Sequence, residues 1–255
     1  MNAIELCSIH KIKMDSYRGK SFCKQCSLES LDRGQKEHHH NVNTMVRDKH
    51  FAGAKLPPRH NDSGFGNYQV LNNGQQNAKA QCAAFAKDFI GDVVRNLIMV
   101  GRTGTGKTHL ACAIARNVLD KCKYARYITS EDMANEIAKA WTIADDNEAN
   151  AIQRFTDYDL LILDEYGLHD RHENRLLLIH KVLYSRYDEG KATMLISNLT
   201  LDELQKDLGD RLWSRFQHDG LTLVECNWAD QRNQGDELSN NSILMNSNIH
   251  INRVQ

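Results

Sequence analysis

Along most of this 255-residue chain, short apolar runs alternate with longer stretches whose apolar residues recur every three to four positions. The runs at 97–100, 125–128, 160–163, 192–197 and 222–225 are short and mostly apolar, the pattern of strands buried on both faces. Between them, 78–90, 109–121, 174–187, 201–208 and 209–217 carry helical periodicity. Ser130, ahead of Met133, reads as the cap of a further helix running to about Trp141. Strands and helices in alternation predict an α/β fold with a parallel sheet covered on both faces.

The pattern stops at both ends. Residues 1–34 form a small Cys/His unit. Residues 35–62 are polar and contain His38-His39-His40, a weak metal binder at most, before Pro57-Pro58; they predict a linker. Residues 63–232 hold the periodic block. From Asn233 onward, Ser239-Asn240-Asn241-Ser242 and Asn246-Ser247-Asn248 show no period, so 233–255 predict a flexible tail.

Composition adds limits. The chain is 41% hydrophobic and 25% charged, ordinary for a globular protein. No apolar run approaches the length that spans a bilayer, so no membrane partner is expected. Met1 to Leu6 lack the charged start and apolar core of a secretory signal. With an odd number of cysteines, seven, a disulfide framework is not expected, and a reducing cytoplasm fits. Charge is uneven: residues 1–60 hold 11 Lys and Arg against 6 Asp and Glu, the remainder 21 against 27. The basic part suits nucleic acid or an acidic partner, or is simply a solvated segment.

The strongest chemical signal is Gly101-Arg102-Thr103-Gly104-Thr105-Gly106-Lys107-Thr108, which matches the phosphate-loop pattern at every fixed position. The glycines let successive N–H groups turn around phosphates. Lys107 reaches the β- and γ-phosphates and the Thr108 hydroxyl ligates Mg²⁺. The helix beginning near His109 adds its dipole. A second signal is Leu160-Leu161-Ile162-Leu163-Asp164-Glu165, where an apolar strand ends in two acids. Asp164 is placed to hold Mg²⁺ and Glu165 to polarise the attacking water. Asn198, after strand 192–197, is either a group facing the γ-phosphate or a turn-forming Asn. Arg211 and Arg215 share a helix face. They either reach a neighbouring subunit's phosphates or form surface ion pairs.

The third signal is Cys7-x2-His10 followed after twelve residues by Cys23-x2-Cys26, the spacing of a zinc ribbon or knuckle. Three thiolates and one imidazole favour tetrahedral Zn²⁺, and with no open position the site would be structural. A unit this small needs such a metal to fold. The other reading is coincidence among seven cysteines. Cys82, Cys112, Cys122 and Cys226 read as small core residues.

GRTGTGKT, LLILDE, ISN and GDRLWSRF, at these separations, resemble the AAA+ ATPases of the DnaC-type helicase-loader family, across roughly residues 50–232. Phe65-Gly66-Asn67-Tyr68 and Asn227-Trp228 extend the resemblance. It implies an ATPase domain without a helical lid, preceded by a zinc module. It implies ATP and Mg²⁺ at Gly101, Thr103, Gly104, Thr105, Gly106, Lys107, Thr108, His109 and Asp164, with Tyr68 near the base. Glu165 becomes the base, Asn198 the sensor and Arg215 the arginine finger, with Arg211 one turn before it. The implied partners are a hexameric replicative helicase of the DnaB type, single-stranded DNA and further copies of the chain in the ATP state. Residues 1 to about 60 are the expected helicase-binding part. Lys139, Trp141 and Arg154 lie where such loaders contact single-stranded DNA, although Asp145, Asp146 and Glu148 interrupt the basic surface. A transposition helper ATPase of the insertion-sequence type shares this core and would bind duplex DNA and a transposase instead. A small-molecule kinase would lack the Asn and Arg elements. A nucleotide-binding adaptor without turnover does not need the Asp164-Glu165 pair.

Overall fold

The computed structural model describes residues 5–168, 173–218 and 220–230. The tail expected over 233–255 lies outside these. The chain divides into two units, 1–49 and 50–255.

In the first unit, the Cys7 N–H donates to Ile12 O (2.8 Å) and the Lys11 N–H to Cys7 O (3.0 Å), closing a turn that carries Cys7 and His10. Strands β1 (Asp15–Tyr17) and β2 (Lys20–Phe22) pair antiparallel, Tyr17 opposite Lys20. Helix α1 (Lys24–Ala54) follows at once. Its first turn brings Cys26 in, and it runs on through most of the expected linker. The stretch expected as a linker from residue 35 is thus helical as far as Ala54, for a physical reason. Apart from Gly34 and Gly53, α1 has no helix breaker, and from Leu28 to Asn43 every residue is exposed. A helix wetted all round has no apolar stripe, so its sequence reads as a polar connector. Lys36 and Asp32, one turn apart at 2.7 Å, give it local support.

The second unit takes over in the last turn of α1, where Ala54 is buried. Helix α2 (Asn73–Ile90) starts earlier than its apolar residues suggest. Asn72 and Gln75 form a reciprocal capping box there, with N–H···O distances of 2.9 and 3.1 Å. Then come β3 (Asn96–Gly101), α3 (Lys107–Leu119), β4 (Ala125–Thr129), α4 (Ser130–Lys139), α5 (Glu148–Thr156), β5 (Leu160–Tyr166), α6 (Glu173–Asp188), β6 (Ala192–Ser197), α7 (Leu201–His218) and β7 (Leu221–Cys226). The cap of α4 is Thr129 rather than Ser130: the Asp132 N–H donates to Thr129 Oγ1 at 3.1 Å, while the Ser130 hydroxyl donates to Glu165 O. Gly209, with φ 72° and ψ 159°, breaks α7 where two helices were expected to meet, a conformation that needs glycine.

The five later strands form one parallel sheet in the order β4-β5-β6-β3-β7. Alternate residues serve opposite faces. Leu97, Met99, Leu160, Ile162, Met194 and Ile196 pack on one side with α2 and α3 residues such as Phe85, Leu110 and Ile114. Ile98, Val100, Leu161, Leu163 and Leu195 pack on the other with Met133, Ile137, Ile179, Val182 and Phe216. Burial on both faces explains the unbroken apolar runs. Cys82, Cys112 and Cys226 are buried as expected; Cys122 is half-buried in the turn after α3. Among the described residues no lid helix follows β7, and no helix is long and apolar enough to cross a membrane.

Candidate functional site

The carboxyl ends of β3, β5 and β6 meet along one edge of the sheet, where ligands collect in parallel α/β folds. They open into a cleft of about 440 Å³, lined by Arg59, His60, Asn67, Tyr68, Gln69, Thr103 through His109, Asp164, Glu165 and Asn198. This volume is in the range of small-molecule sites.

Loop 101–106 leaves β3 and turns into α3, whose N-cap, Gly106, has φ 87°. Gly104 (φ 79°) has a left-handed conformation that strains any residue with a side chain, and a Cβ there would displace the Asp230 carboxylate. Two aromatics brace the loop. The Trp228 indole N–H donates to Thr105 O at 2.9 Å, and the Tyr68 hydroxyl donates to the same carbonyl at 3.4 Å. Tyr68 is thus buried against the loop, its phenol raised above the usual range by burial. The His109 ring nitrogen meets Gly64 O at 3.0 Å, and its ring meets that of Tyr68 edge-on. The segment 64–68 is in this way tied to α3.

Lys107 is buried. Its ammonium donates to Gly101 O (2.6 Å), Arg102 O (2.8 Å) and Asn198 Oδ1 (2.8 Å). The Thr108 hydroxyl donates to Asp164 Oδ2 at 3.0 Å. Asp164 Oδ1 accepts the Glu165 N–H at 2.7 Å. The register between β5 and β6 slips between Leu163 and Tyr166. Glu165, in that bulge, has φ 58°, a strained left-handed conformation for a residue with a side chain. The bulge turns its side chain out of the sheet and into the cleft. A residue that sequence reasoning missed completes the cluster: Tyr127, on β4, donates its hydroxyl to Asp164 Oδ2 at 2.6 Å. An isolated tyrosine in a short strand carries no spacing signal. Arg59 also lines the cleft, from a segment read as linker.

Arg211 and Arg215 do not line this cleft. Arg215 is 3.4 Å from Asp188 and stacks over the Tyr184 and Tyr187 rings, each 4.7 Å from its guanidinium carbon. Arg211 is exposed, 5.6 Å over Tyr184. An ion pair was one of the two readings for these arginines, and Arg215 makes it. In the 139–154 segment, Trp141 is 60% exposed, while Arg154 is held by both Asp146 oxygens at 3.0 and 2.9 Å.

In the first unit, the ligand atoms of Cys7, His10, Cys23 and Cys26 all lie within 4.8 Å of one another. His10 Nδ1 is 3.8, 3.6 and 3.3 Å from the sulfurs of Cys7, Cys23 and Cys26, and the Cys7 and Cys26 sulfurs are 3.6 Å apart. Bonds of about 2.3 Å to sulfur and 2.0 Å to nitrogen in a tetrahedron put ligand atoms about 3.5–3.8 Å apart, so the donor set fits Zn²⁺. The other nitrogen of His10 meets Glu29 at 2.9 Å, the partner a metal-bound imidazole requires. The His10 backbone N–H lowers the Cys7 thiol to about 6, while Cys7 beside it raises the Cys26 thiol to about 12.

A parallel sheet in this order with a phosphate loop after β3 is the AAA+ ATP-binding fold. The chain belongs to the family of IstB-like ATP binding proteins, whose model matches residues 28–224. The replicative helicase loader DnaC of Escherichia coli (strain K12) is 27% identical over 190 residues, 74% of this chain and 77% of that protein. The uncharacterized protein YdaV of the same strain is 28% identical over 207 residues, 79% of this chain and 82% of that protein. A crystal structure of the DnaC helicase loader matches the fold with a TM-score of 0.58 and 21% identity, covering 66% of this chain and 99% of that one. The family match begins after Cys26, so the Cys/His cluster lies outside it.

Proposed function

We propose that this protein is an ATP-dependent loader that binds the hexameric, DnaB-type replicative helicase and helps place it on single-stranded DNA in the cytoplasm. The observation that carries the reading is the joining of Lys107, Thr108, Asp164, Glu165 and Asn198 in one cleft, in a chain homologous to DnaC over three quarters of its length. Lys107 exchanges its loop carbonyls for phosphate oxygens. Thr108 and Asp164 would hold Mg²⁺, which would supply neutralisation of phosphate charge. Glu165 accepts a proton from the attacking water, and Asn198 orients that water or the γ-phosphate. The lining loop 101–109 supplies the N–H groups, and Tyr68 and His109 shape the base end. Arg215, aided by Arg211, serves a neighbouring subunit's site, so turnover is slow until copies assemble side by side. Cys7, His10, Cys23 and Cys26 hold a structural Zn²⁺ that fixes the start of α1, and residues 1 to about 60 engage the helicase. Trp141 and Lys139 contact the single strand, whereas Arg154 is committed to Asp146.

The test is to mix the protein with candidate replicative helicases, with and without ATP, and look for a stable complex by size exclusion. Removing residues 1–49 should abolish the complex and leave ATP binding intact. Retention of the complex by the truncated chain would refute the assignment. The family match to IstB-like proteins favours one second reading, a helper for transposition. Tight duplex-DNA binding without any helicase complex would establish that one instead.

A further inference from the structure

The hydroxyl of Tyr127 holds Asp164, a residue of the cleft, in a contact that the reading above does not use. Tyr127 lies on β4, the edge strand, opposite Ile162 of β5. It points to the α3 side of the sheet, where it is partly buried. Its hydroxyl crosses to the end of β5 and meets Asp164 Oδ2 at 2.6 Å, the length of a charge-assisted bond. The same oxygen accepts the Thr108 hydroxyl, and the other accepts the Glu165 N–H. Asp164 is 4% exposed, so little water competes.

We propose that Tyr127 is a positioning residue for the magnesium aspartate, its hydroxyl fixing the Asp164 carboxylate beside Thr108 before the metal arrives. The inference rests on the nucleotide reading of the cleft. The two donors come from different places. The Glu165 N–H orients one oxygen from within the strained bulge of β5. Tyr127 holds the other oxygen from a different strand, β4. Tyr127 packs against the core on one side and borders a polar cavity whose lining includes Lys55, Arg126, Glu136 and Lys139 on the other. The bond to Asp164 therefore adds to packing in orienting the ring. A partner of this kind, one bond removed from a metal, typically changes metal affinity by about 10–100-fold.

Tyr127→Phe deletes one oxygen and keeps the ring. A fluorescent ATP analogue is titrated into the full chain in EDTA, and then with increasing Mg²⁺. The variant should bind the analogue as the wild type does in EDTA. It should need roughly tenfold more Mg²⁺ for half-maximal tightening, the low end of that range. Its far-UV circular dichroism should match the wild type. Superimposable Mg²⁺ titrations would overturn the proposal. So would an equal loss of affinity with and without Mg²⁺, which would mean that the hydroxyl shapes the pocket and not the metal site. Lys107→Ala, run alongside, separates the two ideas. Analogue binding that survives Lys107→Ala would overturn the nucleotide reading, and this inference with it.

Discussion

Arg186 offers the most quantitative test of the architecture under the cleft. It is completely buried, on α6. Its guanidinium donates to the carbonyls of Phe155 (2.7 Å), Thr156 (3.3 Å), Tyr158 (2.9 Å), Asp159 (3.4 Å) and Ala192, and to the Thr193 hydroxyl (3.0 Å). One side chain thus ties the end of α5 to the start of β5 and the start of β6. Arg186→Met keeps much of the apolar stem and removes every donor. Two terms oppose each other. A buried carbonyl that loses its donor costs about 1–3 kcal/mol. The three best-placed acceptors, Phe155, Tyr158 and Ala192, therefore cost on the order of 3–9 kcal/mol together. Against this, burying a charge no longer costs its several kcal/mol of desolvation. The middle of the first range, about 6 kcal/mol, less about 3 of relieved desolvation leaves about 3 kcal/mol as the net. For a domain of this size each kcal/mol lowers Tm by about 2–4 °C, so Tm should fall by about 6–12 °C. Thermal unfolding followed by circular dichroism measures it. A variant that melts within about 2 °C of wild type, less than 1 kcal/mol, would refute the reasoning. Relief of desolvation would then outweigh the lost donors.

Lys107→Ala should abolish ATP binding in equilibrium dialysis and leave zinc content unchanged, since the two sites lie in separate units. His10→Ala should reduce bound zinc, measured by atomic absorption, and abolish helicase capture while nucleotide binding persists; zinc retained at the wild-type ratio would refute the ligand set. Asn198→Ala removes an acceptor from the Lys107 ammonium, so nucleotide should still bind, whereas turnover should fall by about 100–1,000-fold, the range for losing one group placed against the reacting atoms; unchanged steady-state phosphate release would leave Asn198 as a turn residue.

The sheet was legible because its strands are buried on both faces and flanked by periodic helices. Observed boundaries at 97–100, 160–163 and 192–197 differ from the reading by at most three residues. The phosphate loop and the Asp164-Glu165 pair were legible because their chemistry demands fixed spacing. The first unit was harder. Its two metal half-sites carry spacing, but α1 has no buried face to mark it and β1 and β2 are three residues each. Tyr127 stands far from Asp164 in sequence, as Trp228 and Arg59 do from the loop, and they come together only through the fold. Tyr68 was expected near the nucleotide base; its contact with Thr105 O and its burial describe a brace for the loop.

The two arginines and the cleft are connected by a short stretch of chain. Asn198, which holds the Lys107 ammonium, follows the last residue of β6. Two residues later, Thr200 and Glu203 cap α7 reciprocally: Thr200 N–H and hydroxyl both donate to Glu203 Oε2 at 2.9 Å, and the Glu203 N–H donates to Thr200 Oγ1 at 3.3 Å. The cap makes the start of α7 rigid, and Gly209 is the break before Arg211 and Arg215. Arg215 leaves Asp188 at little cost, because a partly exposed pair contributes about 0–1 kcal/mol. Its stacking on Tyr184 and Tyr187 keeps the guanidinium at the surface. Under the loader reading, Arg215 would be offered to a neighbour from beyond the Gly209 break, on the segment that follows Asn198.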